Sequence, residues 1–118
     1  MLAKNSETDD TENEIEKMQE KLQEIKDQEG IIGYILRGPK SASIDLKDPT
    51  KIIDYAVLSS TTFDASRNMT EALQMGEVDT IIVESEETKL LSMNINNHRL
   101  SIFMEKSVDH NKLYKNLK

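Results

Sequence analysis

Between Asp48 and Gly76 the chain reads DPTKIIDYAVLSSTTFDASRNMTEALQMG, and this stretch predicts one long helix. Asp48 suits the N-cap, and Pro49 suits the first helical position, where its missing N–H costs nothing. Gly76 can take the left-handed conformation that closes a helix. About 27 residues at ~1.5 Å each would span ~40 Å, more than most small domains are wide. A helix of that length in a chain of 118 residues needs cover from more than its own sheet.

The distribution of its apolar residues makes the same demand. At ~100° per residue, Ile52, Ala56 and Phe63 fall together. Leu58, Ala65, Met69 and Ala72 lie well round from them, with Tyr55 and Leu73 beside that second group, and Ile53, Val57 and Met75 occupy further positions. A helix packed only on its own sheet needs a single stripe. Five strands at ~4.8 Å cover about 20–24 Å, less than the helix is long. The strand that follows, with Ile81, Ile82 and Val83 at its centre, would be an aggregation hazard if it lay unpaired at the sheet edge. A two-fold pairing with a second copy covers both hazards, so the expectation is a homodimer. A monomer with a kinked, well-covered helix is the alternative.

The rest of the chain supplies that sheet. Residues 1–10 (MLAKNSETDD) are polar and are expected to be a disordered acidic tail, leaving 11–118 as a single domain. Thr11 and Glu14 fit a capping box opening a helix to about Glu29. Its narrow stripe of Ile15, Met18, Leu22 and Ile25 is expected to pack on the sheet, with a surface for a partner helix as the alternative. Residues 30–36 (GIIGYIL) form a continuous apolar run, as in a strand covered on both faces. Ala42, Ile44 and Leu46 alternate with polar residues in a second strand. After the long helix come strands at 77–85, 89–95 and 99–105, the last two joined through Asn96-Asn97, and a helix at about 108–117. The order is α-β-β-α-β-β-β-α: a five-stranded, mainly antiparallel sheet with helices packed on it.

Charge and composition narrow the function. The net charge of -7 is uneven. Residues 1–29 hold ten acids against four lysines, and the remainder holds twelve acids against eleven bases. With no basic face, nucleic acid is not expected as a partner. There is no cysteine, which removes disulfides and thiolate sites and fits a reducing, cytoplasmic compartment. No apolar run is long enough for membrane insertion, and the acidic start does not read as a signal peptide.

No chemistry-bearing constellation emerges. Gly33 to Ser41 (GYILRGPKS) approaches a phosphate-binding loop, but Pro39 removes an amide from it and no helix follows Ser41. His98 and His110 have no metal-site spacing and are expected to face solvent. Ser59, Ser60 and Ser66 lack the elbow of a nucleophile and read as small residues that permit close helix approach. Glu84, Glu86 and Glu87 read as a solvated cluster, and Asn68-Met69-Thr70 is a chance glycosylation pattern mid-helix. Arg37, Arg67 and Arg99 have no catalytic context. No catalytic, cofactor-binding or metal-ligating residue is assigned, and no cofactor is expected. An enzyme or ligand sensor would need a pocket with convergent polar groups.

In element order, lengths and hydrophobic pattern the chain resembles the roadblock family, the dynein light chain and small-GTPase regulator domain. The resemblance is carried by EIEKMQEKLQEIKDQEG, GIIGYIL, the turn at Gly38, ASIDL, the helix opened by Asp48-Pro49-Thr50, VDTIIVESEETKLLSMNIN and RLSIFMEKS. It covers about Glu14 to Leu117. It implies an α/β sandwich similar to profilin-like domains, and homodimers joined through the long helix and the third strand. The interface positions it implies are Tyr55, Leu58, Thr62, Ala65 and Met69 on the helix, with Thr80, Ile82 and Glu84 on the strand. It further implies a non-catalytic module that regulates or scaffolds a Ras-like small GTPase. The alternative is a structural adaptor subunit of a larger assembly, light-chain-like and indifferent to nucleotide state.

Overall fold

Five strands form one sheet in the order β2-β1-β5-β4-β3, with every neighbouring pair antiparallel. The computed structural model describes residues 2–117, with side chains from Glu14 onward. The strands are β1 (Ile31–Arg37), β2 (Ala42–Leu46), β3 (Thr80–Glu84), β4 (Thr88–Ile95) and β5 (His98–Glu105). The helices are α1 (Leu2–Lys26), α2 (Ile52–Ala72) and α3 (His110–Leu117), and a 3-10 turn at Pro49–Lys51 precedes α2. The chain divides into two compact units: residues 30–108, and the α1 and α3 segments flanking them in sequence.

In the larger unit, hairpin chemistry sets the strand registers. Asn96 and Asn97 both take positive φ, 48° and 64°, as a two-residue turn with the twist of its strands requires, and Ile95 pairs with His98. Gly38 donates to Ser41 O at 2.8 Å, closing the β1–β2 turn, and Ala42–Leu46 is a strand as its alternation predicts. The stretch that approaches a phosphate-binding loop is therefore the end of β1 and the turn that leads to β2. Gly33 is needed where β1 crosses β2: a Cβ there would meet Asp45 O and stand 2.7 Å from Leu46 Cα.

The long helix differs from its expectation at both ends. Asp48 does cap, its carboxylate accepting from the Thr50 N–H at 3.1 Å and from the Thr50 hydroxyl at 2.6 Å. The turn it caps is 3-10, and α2 proper begins at Ile52. At the other end Gln74, with φ 55°, takes the left-handed position that closes the helix, and Gly76, with φ 89°, is left-handed two residues further on. Gln74 N bonds Glu71 O and Met75 N bonds Thr70 O at 2.8 Å, the paired bonds of a Schellman ending. The α-helix is thus 21 residues long, about 32 Å.

In the smaller unit, α1 begins at Leu2. The capping-box pattern at Thr11 lies inside a helix and not at its start, because no Gly or Pro interrupts residues 2–26. Met18, Leu22 and Ile25 are buried, as their spacing predicts. Leu113 and Leu117 are the buried residues of α3, and Lys21 donates to the Asn116 carbonyl at 3.4 Å. Among the described residues no helix is long and apolar enough to cross a membrane.

Candidate interaction surface

The seating of α2 decides which of its residues remain free. The helix lies along β5 and makes a graded series of contacts with it. The Tyr55 ring packs at a tilt against that of Phe103, 4.5 Å between centroids. One turn on, the Ser59 hydroxyl meets that of Ser101 at 2.6 Å, and Ser101 in turn meets Ser92 of β4 at 3.0 Å. A further turn on, Phe63 lies under the Arg99 guanidinium, 5.1 Å from the ring centroid, a cation–π contact. Ile52 and Ala56 pack on the cluster of Ile35, Leu46, Leu90 and Phe103. Ser59 is therefore a small residue that permits close approach, here to a sheet.

This seating gives α2 two flanks. Arg37 of β1 donates to the Ser60 hydroxyl at 2.7 Å, so the Ser60 side faces β1 and β2. The side carrying Leu58, Thr62, Ala65 and Met69 is turned toward β4 and β3. Leu58 is 47% exposed, Met69 64% and Leu73 65%. Two of these are large apolar side chains on one flank and the third closes its end, so no element of the larger unit covers it.

β3 is an edge strand. Asn94 N donates to Asp79 O and Ser85 N to Thr88 O. Given the β3–β4 register, these bonds leave the N–H and C=O groups of Thr80, Ile82 and Glu84 directed away from the sheet. Ile82 and Val83 are exposed. The implied interface residues thus fall into three sets. Leu58, Thr62, Ala65 and Met69 share the β3-facing flank. Thr80, Ile82 and Glu84 carry the free main-chain groups, yet their side chains lie on the face opposite α2, since Ile82 pairs with Leu91 and that in turn with Ile102. On the strand, Ile81 and Val83 are the side chains that share the α2 face, a one-residue alternation that the sequence leaves open. Tyr55, by contrast, is partly buried against Phe103, and Thr62 returns its hydroxyl to Leu58 O at 2.8 Å.

Two depressions adjoin α2. One, of about 820 Å³, lies at its N-terminal end and is lined by Ile32, Lys47, Lys51, Tyr55, Glu105 and Lys106 among others. The second, of about 420 Å³, lies at its C-terminal end between Phe63, Arg67, Gln74, Asn94 and Arg99. Arg67 is held by Asp64 at 3.2 Å, and among the described residues no three His, Cys, Asp or Glu side chains are placed to hold a metal. The Asp48 carboxyl is held below its ordinary range by the Thr50 hydroxyl and then the Thr50 N–H, a capping effect. The two histidines are half-buried rather than solvent-facing. The His98 ring lies over Gly38, with Nδ1 2.8 Å from Asn96 O.

No protein-family model matches the chain, and no curated protein matches it. Among solved structures it is similar to a Roadblock/LC7 domain from Streptomyces avermitilis, with a TM-score of 0.62 and 17% identity over 75% of this chain and 77% of that one. The likeness agrees with the five-stranded antiparallel sheet and the helix α2 seated on it. The chain therefore carries a roadblock-like α/β fold.

Proposed function

We propose that the chain is a non-catalytic, cytoplasmic adaptor or regulatory module that works as a homodimer and binds a Ras-like small GTPase. The observation that carries this reading is the exposed flank of α2, Leu58 to Leu73, lying beside the unpaired β3 edge. Apolar side chains and unsatisfied strand groups on one side of a molecule are what a two-fold partner would cover. The roadblock-like fold supports the same reading. In the dimer, Thr80, Ile82 and Glu84 would pair through their main chains, while Leu58, Thr62, Ala65 and Met69 would meet their counterparts, with Tyr55 at the margin. The working domain is 11–118, and the tail before it, residues 2–10, continues α1 toward the N-terminus.

Sedimentation equilibrium at micromolar concentration tests the dimer, and a persistent monomer would end this reading. The partner is tested by titrating the dimer against Ras-like GTPases loaded with GDP or a non-hydrolysable GTP analogue. Binding that depends on nucleotide supports a regulator or effector scaffold. Binding indifferent to nucleotide marks a structural adaptor of a larger assembly.

A further inference from the structure

We propose that the opposite edge of the sheet, β2 with the flank of α2 above it, is a second docking surface. Its ligand is an extended segment of a partner protein with an apolar centre bracketed by acidic residues. The surface is separate from the β3 side and does not depend on the pairing proposed there.

The backbone comes first. Lys47 N donates to Ile32 O and Gly38 N to Ser41 O. With the β1–β2 register, this turns Ser43 and Asp45 toward β1 and leaves the main-chain groups of Ala42, Ile44 and Leu46 directed outward. Three residues in alternation are enough to receive one added strand of about five residues. The side chains of Ala42, Ile44 and Leu46 share the α2 face, being paired with Arg37, Ile35 and Gly33.

Above them stands apolar surface that the β3 side cannot account for. Ile53 is 77% exposed and Val57 60%. Ile53 lies on the Ser60 flank of α2, turned toward β1 and β2 and away from Leu58 and Met69, and Val57 lies further round, toward solvent. An added strand would set alternate apolar side chains beneath Ile53.

Charge then selects the occupant. Exposed bases bracket β2 at both ends, Arg37 and Lys40 before it and Lys47 and Lys51 after it. Residues 37–51 hold four bases and two acids in a chain whose net charge is -7. One of those acids, Asp48, is occupied as the cap of Thr50. A segment with acids at both ends of a short apolar run matches this spacing, and like charge would be turned away. If copies pair through β3, each dimer still presents β2 at both outer edges of its joined sheet, so two segments bind per dimer.

The test uses two fluorescein-labelled peptides, Glu-Glu-Val-Ile-Val-Ile-Glu-Glu and its counterpart with every Glu replaced by Lys, titrated against the full chain by anisotropy. The acidic peptide binds and the lysine peptide does not. Hydrogen exchange with the acidic peptide slows at the amides of Ala42, Ile44 and Leu46. Lys47→Glu with Lys51→Glu weakens binding roughly tenfold, as two reversed surface pairs should, without changing the oligomeric state. Ala42→Pro, which removes an outward N–H at an edge position that tolerates it, weakens binding without lowering Tm. The proposal is overturned by equal binding of the lysine peptide, or by protection at Thr80, Ile82 and Glu84 instead. It also fails if neither peptide binds at about 1 mM, far above any affinity worth selecting, or if copies of the chain itself fill the β2 edge.

Discussion

Ser101 is the middle member of a buried chain of three hydroxyls, and its removal should cost more than removal of all three. Ser59, Ser92 and Ser101 are 6%, 0% and 1% exposed. They make two hydrogen bonds among themselves, both through Ser101, and no buried side-chain polar atom among the described residues is left unpartnered. Ser101→Ala therefore strands two hydroxyls at once. A buried polar group deprived of its partner costs about 1–3 kcal/mol. Ser59 can recover part of its share by bonding a carbonyl one helical turn back. The expected loss is about 2–4 kcal/mol, a large fraction of the stability of a domain this size. The triple change of Ser59, Ser92 and Ser101 to Ala removes donors and acceptors together and should cost less than the single one. Urea unfolding followed by circular dichroism measures both, with the slope checked for two-state behaviour. If Ser101→Ala falls within ~0.5 kcal/mol of the parent, a surface-like effect, or if the triple variant is the less stable, the hydroxyl chain does not hold α2 to the sheet in the way argued.

In the proposed dimer, Leu58→Asp places a charge twice on the β3-facing flank of α2. Losing about 1 kcal/mol of apolar burial per copy, with desolvation of the carboxylate added, should weaken dimerisation more than ~100-fold by sedimentation while leaving the fold intact; Ala65→Glu should act alike. Gly33→Ala should destabilise by about 1–3 kcal/mol, because the β1–β2 crossing has no room for the methyl group, and calorimetry would register it as a lowered Tm. Gln74→Gly relieves a left-handed residue and should stabilise by about 0.5–1 kcal/mol, after allowing for the greater freedom of Gly in the unfolded chain. The Asp48 carboxyl is depressed in the folded state, so its cap contributes above the unfolded pKa and is lost as pH falls through the folded one. Exchange protection of the Thr50 amide should fade with acid in that window, and in Asp48→Asn it should not vary with pH.

The strands were legible because their signals are local. The alternation of Ala42, Ile44 and Leu46 and the pair Asn96-Asn97 mark a strand and a turn without reference to anything distant, and β2 and the hairpin stand where they predict. The core face of α2 could also be read, since Ile52, Ala56 and Phe63 do face the core. The helix end could not. A Schellman closure normally announces itself by Gly, and here Gln74 takes the position two residues before the glycine that sequence favours. The contact of Tyr55 with Phe103 was not legible either, because angle alone does not show that Phe103 is within reach. The orientation of β3 depends on a register that one residue inverts, which only the pairing of Ile82 with Leu91 resolves.

The strand order also has a bearing on the time course of synthesis. β5 lies at the centre of the sheet, bonded to β1 on one side and β4 on the other, yet it is the last strand to leave the ribosome. Pairing Ile31 with Met104 closes nearly the whole of the larger unit into one loop, at an entropic cost of about 4 kcal/mol. Until then β1 with β2, and β3 with β4, are two separate hairpins with no common strand between them. The nascent chain must carry both, and the apolar length of α2, until β5 emerges. Its acidic first segment, already extruded, is the part best suited to keep that intermediate in solution.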